Sequence, residues 1–120
     1  MCEDRGITSE LVPKIATGFC GGIARSSLMC GAATGAIMAL DVVLGRDEPD
    51  GSREADYEAV RKLLQAFTER FGSLNCGDLI GCDLGTPEGQ EYYKANRLSR
   101  ECRLYTEEAT MMAMSLLAAD

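Results

Sequence analysis

The sequence predicts an all-α protein, a small helical bundle of up-and-down type around a central helix rich in glycine and alanine. Three observations lead there. Apolar residues recur at spacings of three and four through the segments near 28–44, 52–71 and 98–118. No stretch alternates apolar and polar residues with the period of two that a half-buried strand requires. The chain has 120 residues and only three prolines, enough for one domain (1–120) to bury roughly two thirds of its unfolded surface without disulfide or metal.

The first helix is expected over about residues 12–20, where Val12, Ile15, Ala16 and Phe19 fall on one stripe. Pro13 suits its first turn, and Gly21 and Gly22 its end. A second helix is expected from about Leu28 to Leu44, with Ser26 or Ser27 as cap and Gly45 as terminator. It carries two apolar faces, one of Cys30, Ala33, Ile37, Leu40 and Leu44, the other of Ala32, Ala36, Ala39 and Val43. A helix apolar around most of its circumference belongs at the centre of a fold. Gly31, Ala32, Gly35, Ala36 and Ala39 also remove bulk, so a neighbouring backbone can approach closely.

The strongest loop signal is "GRDEPDGS" (45–52), after which Ser52 is placed to cap a third helix. Its stripe is Tyr57, Val60, Leu64, Phe67 and Phe71, with Glu58 and Lys62 paired one turn apart and Gly72 as the stop. "SLNCGDLIG" reads as one or two turns starting near Cys76, "CDLGTPEG" as a loop and "QEYYKAN" as a further turn. The last helix, about 98–118, aligns Leu98, Cys102, Tyr105, Ala109, Met112 and Leu116.

Charge and composition narrow the function. A net charge of −7 gives no electrostatic reason to approach nucleic acid or an anionic membrane, both of which need clustered Lys and Arg. "MCEDRGITSE" carries acids where a secretory signal needs positive charge and an apolar run, and no apolar stretch reaches the ~20 residues of a membrane span. The expected compartment is therefore the cytoplasm. There thiols stay reduced, so the six cysteines point to catalysis, redox sensing or metal binding rather than a structural disulfide framework. The chain has no histidine, which excludes His-assisted nucleophiles and mixed Cys/His zinc sites.

Cys30 and Cys76 both stand at expected helix starts, where unpaired N–H groups and the helix dipole favour the thiolate. Cys102 lies inside a helix on its apolar stripe and acquires a role only beside another cysteine. Each cysteine also has a plain reading as a packing residue. Cys2 and Cys20 are the weakest candidates, one terminal and one beside two glycines, and Cys82 has no C-x-x-C spacing to Cys76. The spacings match no ferredoxin signature. "GFCGG" and "GAATG" lack the Lys and Ser/Thr of a phosphate loop. Met111, Met112 and Met114 read as core filler, and the acidic run from Asp47 to Glu58 as a solvated loop and helix start.

"CGAATGAIMAL", "FGSLNCGDLIGCDL" and "RECRLYTEEA" together resemble the family of small redox-active proteins named for its C-GCAxxG-C-C pattern, over nearly the whole chain. The resemblance places the family's central cysteine at Cys30, with Gly31, Ala32 and Gly35 as supporting residues, and its last two at Cys76 and Cys102. The family's first cysteine lies on a preceding helix that is expected to be missing here; Cys2 does not match it, and Cys20 and Cys82 are additions. What the resemblance implies is thiol redox chemistry, without a named substrate.

The resulting expectation is a thiol-disulfide or electron-transfer accessory protein in which Cys30 exchanges with Cys76 or Cys102, needing no cofactor. A disulfide requires Cα atoms within about 7 Å, so one of those two must lie that close to Cys30, with the pair not fully buried. Two other expectations compete: a metal or iron-sulfur module held by Cys30, Cys76 and Cys102, and a cofactor-free helical interaction domain. An uncovered apolar surface where the missing helix would lie adds the expectation of a homodimer.

Overall fold

The computed structural model describes residues 5–118, and these form an all-α fold. In chain order the elements are α1 (Leu11–Ala16), a 3₁₀ turn (Thr17–Phe19), the single turn α2 (Cys20–Ile23), α3 (Gly31–Leu44), α4 (Glu54–Phe71), α5 (Cys76–Ile80), α6 (Pro87–Ala95) and α7 (Ser99–Ala118). The three longest helices, α3, α4 and α7, each pack against the other two. Their shared core holds Leu40 of α3, Leu63 and Phe67 of α4, and Tyr105, Ala109 and Leu117 of α7. Phe67, Phe71 and Tyr105 add tilted and edge-on ring contacts, with centroids 4.9 Å (Phe67 to Phe71) and 4.8 Å (Phe71 to Tyr105) apart. Fully buried alanines, Ala33 on α3 and Ala113 on α7, keep those helix faces flat.

The helices end where local chemistry dictates. Gly72 closes α4 at φ +86°, its N–H bonded to the Thr68 carbonyl at 2.7 Å. Thr86 caps α6 through Oγ1, which accepts from the Gly89 N–H at 3.0 Å, and Pro87 takes the first position. This helix starts inside "CDLGTPEG", so the Thr-Pro signal there outweighs the loop reading. The Glu58–Lys62 pair forms at 3.1 Å.

Several expectations are corrected. The first helix stops at Ala16 and buries nothing; Ile15 is 61% exposed, because α1 packs mainly on the 3₁₀ turn that follows it. The central helix starts at Gly31, not Leu28, because residues 28–30 are drawn into extended pairing with the chain near Asn75. Neither Ser26 nor Ser27 caps it, and Ser52 does not cap α4, which begins after Arg53. On α4 the buried residues are Asp56, Ala59, Leu63 and Phe67; of the expected stripe Phe67 is buried and Val60 and Phe71 pack at the core margin, while Tyr57 is exposed. Of the stripe expected for the last helix, Leu98, Cys102, Tyr105, Ala109, Met112 and Leu116 all meet the core, and the buried positions on α7 are Tyr105, Ala109, Ala113 and Leu117. Met111 and Met114 are therefore exposed rather than core filler, while Met112 packs at the core margin. Asp56 is buried although the acidic run was expected to be solvated.

Candidate functional site

The site begins with an unusual backbone. From Gly21 to Arg25 five successive residues have positive φ, between +50° and +69°, so the chain makes a left-handed turn after Cys20. Gly21 and Gly22 adopt this freely, whereas Ile23, Ala24 and Arg25 each cost about 1–2 kcal/mol. Contacts further on hold the turn in place: the Leu28 N–H donates to the Gly22 carbonyl at 2.9 Å.

Next the chain crosses the segment before α5. The Cys30 N–H donates to the Leu74 carbonyl at 2.7 Å, and the Cys76 N–H to the Leu28 carbonyl at 2.6 Å, framing an antiparallel bridge between Met29 and Asn75. Cys30 and Cys76 each stand one residue beyond that bridge. Side chains alternate across a ladder, so both fall on the face opposite Met29 and Asn75, as diagonal neighbours. In a regular ladder that relation separates Cα atoms by about 7–8 Å, just outside the range of a relaxed disulfide.

Glycines let the segments approach. A Cβ on Gly22 would stand 2.5 Å from the Cys76 Cβ and 2.8 Å from the Leu28 nitrogen. A Cβ on Gly31 would stand 3.2 Å from the Phe19 carbonyl oxygen and 3.6 Å from the Cys20 Cα, so the expected close approach occurs there. Gly35 is different: nothing lies within 4 Å of its missing side chain, and it faces open space.

These segments surround a cavity of about 590 Å³ that Cys20, Cys30, Cys76 and Cys102 all line, together with Gly31, Ala32 and Gly35. Cys30 and Cys76 are buried, Cys102 on α7 is half-buried and Cys20 is exposed; all four are free thiols. The Tyr93 hydroxyl of α6 donates to Cys102 Sγ at 3.5 Å. Cys82 does not line the cavity but packs at the core margin. Cys2 lies outside the described residues.

The electrostatics correct one expectation. Helix starts were expected to lower the thiol pKa values of Cys30 and Cys76; both are raised. Burial pushes the Cys30 thiol up against the opposing pull of the Ala32 and Ala33 N–H groups, and the Cys102 charge adds to the rise. Burial also pushes Cys76 up, to about 11, with the charges of Cys30, Cys102 and Cys82 behind it. The helix behind Cys76 has five residues, a short source of dipole. Desolvation thus outweighs the helix terminus at both positions. Tyr93 is likewise held protonated, first by burial and then by its bond to Cys102, so its O–H remains a donor.

Among the described residues no three Cys, Asp or Glu side chains converge in a group that could hold a metal ion. The expected alternative of a metal or iron-sulfur site has no ready ligand set there. Cys20, among the weakest candidates in the sequence, does line the cavity, and the sequence reading did not single out Gly22, Tyr93 or the two cations of the lining, Arg25 and Lys94. No local pattern marks Tyr93 or Lys94, since α6 meets the other segments only through the fold.

A protein-family model described as "Putative redox-active protein (C_GCAxxG_C_C)" matches residues 1–116. Comparison with curated proteins and with solved structures finds no match.

Proposed function

We propose, from the premise that this chain belongs to the C_GCAxxG_C_C family of redox-active proteins, that it cycles between a dithiol and a disulfide with Cys30 as the shared member. Cys76 or Cys102 is its partner. On oxidation the two thiols lose their protons, one sulfur–sulfur bond forms, and two electrons pass to the acceptor. The observation that carries this reading is the common cavity, onto which Cys30, Cys76 and Cys102 open from three separate elements.

The surrounding chemistry supports the cycle. Raised pKa values keep Cys30 and Cys76 as thiols near neutral pH, so the resting site resists indiscriminate alkylation and oxidation. Opening from diagonal neighbours to bonded sulfurs requires a shift of order 1 Å between the Cys30 and Cys76 segments, judged from ladder and disulfide geometry. The Tyr93 hydroxyl steadies negative charge as it develops on Cys102 Sγ.

The test is thiol trapping with iodoacetamide in the denatured state, before and after mild oxidation, followed by mapping of the modified cysteines. Cys30 is expected to become protected together with Cys76 or Cys102, and Cys30→Ser to leave both partners alkylatable. Oxidation that protects no pair containing Cys30 refutes the proposal.

A further inference from the structure

The cavity carries a charge pattern opposite to that of the chain. The protein holds 19 acidic and 12 basic residues, yet the charged side chains lining the cavity are Arg25 and Lys94, both cationic, with no carboxylate among them. Among the described residues neither cation pairs with an acid; the ion pair present is Lys62–Glu58. Asp83, in the loop beside Arg25, is already engaged, accepting from the Ser27 hydroxyl at 3.1 Å and the Gly85 N–H at 2.8 Å. Two uncompensated cations at an apolar concavity in an anionic protein form a local attraction for anions.

Burial restricts what can reach the sulfurs. Cys30 and Cys76 are 9% and 6% exposed, so an oxidant must enter the cavity rather than meet them on an open surface. A cavity of about 590 Å³ lies within the ordinary range for small-molecule sites. Phe19 and Leu84 supply apolar walls for an aliphatic arm, and Arg25 and Lys94, both exposed, stand where a carboxylate can be met on entry.

We infer that the oxidant used by this site is an anionic low-molecular-weight disulfide, a molecule RS–SR whose arms carry carboxylates, recognised by Arg25 and Lys94. The inference rests on the redox reading above. A Cys thiolate attacks one sulfur of RS–SR, forming a protein–S–S–R mixed disulfide and releasing the first RS⁻. A second Cys thiolate then attacks the protein sulfur of that bond, forming the intrachain disulfide and releasing the second RS⁻. The two protons of the protein thiols pass to water or to the released thiolates. Two protein thiols are oxidised and one external disulfide is reduced.

Three symmetric disulfides of similar size test this: dianionic 3,3′-dithiodipropionate, neutral bis(2-hydroxyethyl) disulfide and dicationic cystamine. Each rate of intrachain disulfide formation, read by mass mapping of Cys30, is divided by the rate of the same reagent with 2-mercaptoethanol to remove intrinsic reactivity. The expected order is dianion, neutral, dication, with about tenfold between the ends at low ionic strength and a smaller spread in 0.5 M NaCl. Arg25→Gln with Lys94→Gln is expected to flatten the order, and Arg25→Glu with Lys94→Glu to invert it. The salt series on the unaltered protein keeps the inference testable should the variants fold poorly. Equal corrected rates for all three reagents, with the Cys30 pair still forming, overturn the anion preference and leave the redox reading standing. Failure of every reagent to form a Cys30-containing disulfide overturns both.

Discussion

Gly22→Ala and Gly21→Ala form a matched pair that separates backbone strain from the packing that holds the site. Both glycines have nearly the same φ, +67° and +69°, so an alanine at either loses about 1–2 kcal/mol to the left-handed conformation alone. They differ in what a Cβ meets. At Gly21 the nearest atom is the Arg25 Cγ at 3.2 Å, part of a flexible exposed side chain that can swing away. At Gly22 the Cβ would stand 2.5 Å from the Cys76 Cβ and 2.8 and 2.9 Å from the Leu28 nitrogen and oxygen. Those Leu28 atoms are committed, one donating to Gly22 and the other accepting from Cys76. Relieving the clash therefore adds an overpacking cost of about 1–3 kcal/mol and loosens hydrogen bonds worth about 1 kcal/mol each. Gly22→Ala is expected to lose about 3–5 kcal/mol in total, against about 1–2 kcal/mol for Gly21→Ala. With a urea slope of about 2 kcal/mol/M, the midpoints fall by about 2 M and about 0.7 M. Urea unfolding followed by circular dichroism gives both numbers, and alkylation of Cys76 under native conditions is expected to quicken in Gly22→Ala alone. Equal losses in the two variants, or a Cys76 as protected in Gly22→Ala as before, would show that Gly22 does not seat the Cys76 segment.

Four further outcomes follow from the same geometry. Cys76, raised from 9.0 to about 11, should hold about 100-fold less thiolate at pH 8 than an unshifted thiol, so its native-state alkylation by iodoacetamide should be slower by that factor and climb about tenfold per pH unit up to pH 11. Because its folded pKa lies above the unfolded one, its contribution to stability is complete below pH 9 and is lost as pH rises towards 11, which urea midpoints taken at pH 8, 9.5 and 11 would register. Asp41, raised to about 6 by burial and by the adjacent Asp56 carboxylate, contributes stability below pH 3.8 that is lost as pH rises through 6. Asp41→Asn is therefore expected to stabilise the protein by up to about 1 kcal/mol at pH 8, where solvent screens much of the repulsion, and by nothing at pH 4; an equal gain at both pH values would contradict the pairing. Phe67→Ala, at a fully buried position touching Phe71 and Tyr105, should cost about 3–5 kcal/mol in the same urea assay, and a loss under 1 kcal/mol would place the ring outside the core.

Much of the fold was legible because long helices advertise themselves. The stripes of α4 and α7 and the stop at Gly72 follow from spacing and glycine placement, and both Cys30 and Cys76 do stand at helix starts. What spacing could not settle was which positions are fully buried and where a helix starts. On α4 the expected Val60, Phe67 and Phe71 do meet the core, but Asp56, an acid, takes a buried position that no hydrophobic pattern assigns to it. The start of α3 moved to Gly31 because residues 28–30 satisfy their backbone groups across the chain at Leu74 and Cys76, a long-range pairing invisible to a local window. That Cys20 lines the cavity was illegible for the same kind of reason: a left-handed turn spreading past the two glycines into Ile23, Ala24 and Arg25 is not a propensity that those residues announce.

The displaced pKa values change what kind of redox site this can be. A helix-start thiol exposed to water would be an anion near neutral pH, reactive towards any electrophile that diffuses past. Here the same N–H groups act on Cys30, but the surrounding protein removes more solvation than they replace, and Cys76 is pushed further by its neighbours' charges. The two effects have different reach. Desolvation depends on what occupies the cavity beside the sulfur, whereas the Ala32 and Ala33 N–H groups are fixed to the start of α3 and remain whatever occupies it. A bound group that brings water or positive charge to the sulfurs would therefore lower the pKa of Cys30, and one that displaces water or adds negative charge would raise it. Reactivity is in that way tied to occupancy rather than to the resting sequence position. This can be measured directly as a rise in the Cys30 alkylation pKa at saturating suberate, the unreactive dianion in which CH2–CH2 replaces the S–S of 3,3′-dithiodipropionate, because it displaces water and adds negative charge beside the sulfur; an alkylation profile for Cys30 that suberate leaves unmoved would break the link between cavity occupancy and thiol reactivity.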